Sequence, residues 1–151
     1  MDAVAAMEAT VAVNILSGMP DPETVRELES YTRDLPQINL SITHVVHGGM
    51  CARTGLIPAG TMLTGALTNC DNICVIYGDI TVTTDDGPQR LTGYHVLPAN
   101  AGFKRVGVAH ADTWWTTLLV TEHTDIDAIE DQMTNESAGL MTRRAIIYEE
   151  N

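Results

Sequence analysis

The chain has 151 residues and carries 20 acidic against 8 basic side chains, a formal net charge of −12. Such a surface repels phosphate backbones, and the scattered basic residues form no patch, so nucleic-acid binding is excluded as a main function. Hydrophobic residues make up 44% of the chain, which excludes whole-chain disorder and fits one domain around one core.

With aromatics at only 5%, that core must be built from Val, Ile, Leu, Met and Ala. The cysteines are Cys51, Cys70 and Cys74. An odd count suggests reduced thiols, which read as small apolar residues, with a redox or metal pair at Cys70 and Cys74 as the alternative. No stretch approaches the ~18 apolar residues that span a bilayer. The apolar start carries Asp2 and Glu8 and lacks a basic segment, so neither secretion nor a membrane location is expected.

In chain order, residues 1–18 fit either a strand or a helix lying against a partner. Asp21 then stands where an N-cap belongs, with Pro22 at the first helical position. Val25, Leu28, Thr32 and Leu35 recur on one face of the short helix that follows. After Pro36 the rhythm becomes β. Strands are expected near 40–47, 50–56, 61–67, 72–77, 79–84, 89–91, 94–97, 104–109 and 113–121. Asp86–Gly87 signals a hairpin. Residues 125–133 read as a second short helix capped by Thr124 or Asp125. Residues 134–151 read as a tail with an apolar patch at Ala145, Ile146, Ile147 and Tyr148. The expected division is an arm and helix (1–39), a barrel (40–123), and a helix and tail (124–151), forming one folded domain.

Residues 48–122 resemble the cupin superfamily of double-stranded β-helix proteins. The resemblance is carried by "IPAGTMLTG", by "VIYGDITV" with a turn at Gly78, by "DDGPQRLTG", and by "GYHVLPANAGFKR" with a second strand start at Pro98 and Gly102. The wording of this region is also similar to cupin-like proteins of tailed bacteriophages. The resemblance implies an all-β, single cupin-like jelly-roll barrel.

Metal cupins place a His-x-His pair, an acid and a further His in the barrel, because alternate strand residues face the same way. Carried onto this sequence, those positions fall on Ala66, Thr68 and Asn72 (or Thr68, Cys70 and Asn72) and on Arg105. None is histidine, and Arg105 would oppose a metal, so no metal and no cofactor are expected. Among the histidines, His44 and His47 should face opposite sides of a strand. His95 reads as a hydrogen-bonded structural residue and His123 as solvated, while His110 with Asp112 could form part of a triad.

Binding explains the remaining groups better. Thr68, Asn72, Lys104 and Arg105 are candidate ligand-binding residues. Lys104–Arg105 suits a carboxylate or phosphate, or surface acids, and Arg53 and Arg90 share that ambiguity. Trp114 and Trp115 should point to opposite faces, one of them a candidate interface anchor with Ile146, Ile147 and Tyr148.

Three functions follow. The first is a non-enzymatic structural or accessory subunit of a phage particle, located in the virion or host cytoplasm, homo-oligomeric (dimer or trimer) and contacting other virion proteins. The second is a module that binds or sequesters a nucleotide or metabolite. The third is a cupin enzyme with a non-standard metal site drawn from His44, His47, His95 or His110.

Overall fold

A computed structural model describes residues 1–5, 21–146 and 148–149. Its strands are β1 (Ala3–Ala5), β2 (Gln37–Ile38), β3 (Thr43–His47), β4 (Met50–Ile57), β5 (Thr61–Thr64), β6 (Asn72–Thr84), β7 (Gly87–Ala99), β8 (Val106–Ala109), β9 (Thr113–Val120) and β10 (Tyr148–Glu149). Two helices join them, α1 (Pro22–Thr32) and α2 (Ile126–Met133). The strand order is β10-β2-β1-β5-β8-β6-β9-β4-β3, with β7 along the other edge of β6. The sheet curls into the expected all-β, single cupin-like jelly roll.

Gly78 is not a turn. Strand β6 runs unbroken through it, and the runs expected at 89–91 and 94–97 likewise fuse into β7. Before Gly78, β6 pairs with β9 (Ile73–Tyr77); beyond it, β6 pairs with β8 (Ile80–Val82). Gly78 therefore marks the bend where one strand passes from one half of the sheet to the other. Its φ is 154°, and a Cβ there would lie 2.7 Å from Thr113 Cα, so only glycine fits. The fully buried Thr113 pins the bend: its hydroxyl accepts from the Asp79 amide at 3.1 Å. Pro98, read from sequence as a strand start, lies near the end of β7. Strand β7 pairs only with β6, and such an edge strand tolerates a residue that cannot donate.

The hairpin between β6 and β7 turns on Asp85 and Asp86, and Gly87 follows at φ 99°. Asp21 caps α1 by accepting from the Thr24 amide at 2.8 Å. Buried Val25, with Leu28 and Leu35, packs onto Val4, Met62, Val106 and Val108. Helix α1 thus covers the outer face of β1, β5 and β8. At one end of the barrel, Ile129 and Met133 of α2 pack with Cys51, Leu119 and Leu140. Asp125 caps α2 by accepting from the Ala128 amide.

The expected appendages are woven into the barrel. Strand β1 lies between β2 and β5, and β10 runs parallel to β2. Thr134, Leu140 and Met141 are buried, and Ile146 and Tyr148 pack against the chain's own core. Ile147 and residues 6–18 lie outside the described residues. No helix among the described residues is long and apolar enough to cross a membrane.

Candidate functional site

Alternation along the strands points one set of side chains inward. In β4 the inward set is Cys51, Arg53, Gly55 and Ile57, all buried. Between the two halves of the sheet lies a cavity of about 150 Å³. Ile57, Leu63, Ile80, Val82, Trp115 and Leu140 supply much of its apolar wall. Its polar side chains are Arg53, Thr68, Asn72, Asn100, Arg105 and Thr117, with the Cys74 thiol beside them.

The positions carried over from the cupin resemblance are thus brought together. Ala66, Thr68, Asn72 and Arg105 all line the cavity, while Cys70, the shifted alternative, packs with the α2 cluster instead. Asn72 is held from both sides: its amide donates to the Cys70 carbonyl at 3.2 Å, and its oxygen accepts from Cys74 Sγ at 3.5 Å.

The two arginines differ in environment. Arg53 is 8% exposed. Its Nη1 donates to Glu130 Oε2 at 3.3 Å and meets His44 Nε2 at 3.4 Å. Its buried Nη2 has no hydrogen-bond partner among the described residues. Burial pulls the Arg53 pKa below its ordinary value, and the Glu130 carboxylate pulls it back. Burial, aided by the Arg53 charge, also lowers the pKa of His44. Arg105 donates from Nη1 to the Thr83 carbonyl at 2.8 Å and stands over the Phe103 ring, 4.9 Å from its centre. Among the described residues, no carboxylate pairs with Arg105. Burial pushes the Cys74 thiol up, against the opposing pull of Arg105.

This donor set does not fit a divalent metal. It offers two guanidinium cations, neutral hydroxyls and amides, and a thiol held protonated by burial, with neither a carboxylate nor an imidazole on the cavity wall. No group of three His, Cys, Asp or Glu among the described residues could hold a metal ion.

Lys104 leaves the cavity-lining candidates and takes its other expected role, pairing with acids. It is fully buried but does not line the cavity; its Nζ lies 3.0 Å from Glu29 Oε1 and 2.7 Å from Glu136 Oε2. The N-terminal amine lies 3.1 Å from the same Glu29 oxygen, and these ion-pair contacts on Oε1 fall short of hydrogen-bond angles. Inside a strand, Lys104 and Arg105 would face opposite ways; just before β8, they still part, one to the ionic cluster and one to the cavity.

The tryptophans divide as their spacing requires. Trp115 lines the cavity, which removes it from the interface candidates, and Trp114 stands exposed outside. His44 faces inward and His47 outward. Exposed Arg90 pairs with Asp79 at 2.8 Å. His110 and Asp112 form no dyad: His110 bonds the Thr81 hydroxyl at 2.6 Å, and Asp112 accepts from the Ala59 amide. His95 bonds the Thr92 carbonyl, and His123 is exposed. Sequence reasoning left Arg53 unresolved; its place among the buried alternate positions of β4 was the available signal.

No family model matches the chain, and no curated protein matches it. Among solved structures it is similar to a cupin-2 domain containing protein from Shewanella frigidimarina, at 8% identity over 60% of this chain and 90% of that one, with a TM-score of 0.45. It is also similar to KdgF from Halomonas sp., at 19% identity over 56% and 81%, with a TM-score of 0.46. A third is an RmlC-like cupin family protein from Methanocaldococcus jannaschii, at 14% identity over 54% and 79%, with a TM-score of 0.43.

Proposed function

We propose that this chain is a non-catalytic binding protein whose barrel holds a small molecule with a carboxylate head and an apolar body. One observation carries the reading: two guanidinium groups line a largely apolar cavity, Arg53 with an unsatisfied buried Nη2 beside its Glu130 contact and Arg105 without a carboxylate partner among the described residues. A buried donor without a partner is costly, and a carboxylate is the planar partner a guanidinium matches best. An apolar cavity of this size, about 150 Å³, accommodates a benzene-sized body. Thr68 and Asn72 stand where they can hold a polar substituent.

The test is a thermal-shift comparison of benzoate and hexanoate with their uncharged amides. A ligand that binds only the folded state stabilises it by about 2.7 kcal/mol at 100 times its Kd. The acids should raise Tm and the amides should not, and Arg105→Met should abolish the difference. Equal responses to acid and amide would remove the carboxylate from the reading.

A second reading, the structural subunit of a phage particle, draws on the resemblance in residues 48–122 and on the exposed apolar side chains Trp114, Tyr77 and Tyr94 of the outer sheet face. Stoichiometric detection in purified particles by mass spectrometry is its test; absence there sinks it.

A further inference from the structure

The two halves of the sheet are finished differently on their outer faces. Helix α1 covers the half formed by β1, β5 and β8. The other half, β7-β6-β9-β4-β3, has no covering element among the described residues. Its outward positions follow from the register. Leu56, Trp114, Tyr77 and Tyr94 stand side by side across β4, β9, β6 and β7. Trp114, Tyr77 and Tyr94 in this row are 50%, 61% and 66% exposed. The next rows bring Val75 beside Val96 and Ile73 beside Leu118, and the far corner holds Val120 and Met50.

From the aromatic row to the Val120–Met50 corner, no Asp, Glu, Lys or Arg occupies an outward position of β7, β6, β9, β4 or β3; His47 at the edge is the nearest to a charge, and beyond Gly78 the Asp79–Arg90 ion pair bounds the face. In a chain of net charge −12 this is a large exception. A contiguous apolar face of this kind marks an interaction site.

We infer that a second copy of this chain covers the face, in a two-fold dimer packed sheet against sheet. Two acidic copies repel one another through any charged surface, and here they can approach without bringing carboxylates together. The face needs no counter-charge from its partner, so it complements itself, as a two-fold contact requires. Five strands ~4.8 Å apart, about seven residues long at ~3.3 Å each, present about 500 Å² per copy. A pair would bury about 1,000 Å², the floor for a specific interface. Sheets packed face to face interdigitate alternate side chains, and the aromatic row supplies the anchors.

Sedimentation equilibrium of the full chain, from about 1 to 100 µM, tests it. The variants are Tyr77→Glu, Trp114→Glu and, as a control on α1, Tyr31→Glu. All three side chains are exposed, and circular dichroism checks that each variant folds; if Trp114→Glu does not, Tyr77→Glu decides. The wild type and Tyr31→Glu should sediment as dimers. A carboxylate buried at the contact should raise the dimer Kd at least about 100-fold in the other two. A wild type that stays monomeric, a dimer that both variants leave intact, or a trimer would overturn the inference.

Discussion

Lys104 shows how one side chain can be misassigned from its neighbours in sequence. Beside Arg105 it suggested a paired anion site, yet it is enclosed by Glu29 and Glu136. Replacing it removes the cation and leaves two carboxylates in a poorly solvated cluster, so Lys104→Met should cost about 3–5 kcal/mol of folding stability. Urea unfolding measures this; a cost below about 1 kcal/mol would mean water compensates both acids.

Glu136 gives the same cluster a pH signature. Burial pushes its pKa up, but hydrogen bonds from Lys104, the Leu67 amide and Arg26 outweigh that and hold it at about 2, below the ordinary 4.5. A depressed carboxylate stabilises the fold above its unfolded pKa, and that stabilisation disappears as pH falls through the folded value. Stability should therefore drop between pH 4.5 and about 2 by about 1–2 kcal/mol from this group, a discounted figure because 25% of the side chain meets solvent. Glu136→Gln should flatten that part of the pH–Tm curve; an unchanged slope would assign the acid transition to other carboxylates.

At the scale of elements, much was legible because local chemistry decides it. Asp21 and Pro22 start α1 as their side chains dictate, and alternation in β4 and β9 divides inward from outward residues down to the two tryptophans. What sequence could not show was continuity. Gly78, Gly93 and Pro98 read as breaks, yet β6 and β7 run through them, because Gly78 bends the strand against Thr113 and Pro98 sits on an edge. The parallel pairing of β10 with β2 was equally invisible, since it joins residues far apart in the chain, Tyr148 with Gln37. Gly78→Ala tests the bend. Its Cβ would meet the Thr113 backbone rather than a flexible side chain, and the expected loss is about 3 kcal/mol or more. At Gly93, where nothing lies within 4 Å, the same substitution meets only the cost of its positive φ, about 1 kcal/mol. Equal losses in denaturant melts would show that backbone conformation alone, not contact with Thr113, requires glycine at Gly78.

The molecule as a whole sets positive charge inside a negative shell. Net charge is −12, yet the polar groups with charge on the cavity wall are Arg53 and Arg105. The carried-over positions Ala66, Thr68, Asn72 and Arg105 all line the cavity, although only Asn72 lies within a strand. The anionic character of the expected ligand was only half visible, since Arg53 enters from a distant strand. The most direct measurement is a calorimetric titration of benzoate and benzamide into the wild type and Arg105→Met. Benzoate should bind the wild type saturably and one to one, bind the variant at least about tenfold more weakly, and there lose its advantage over the amide. Equal affinity of benzoate for both proteins, or no binding to either, would contradict the carboxylate reading.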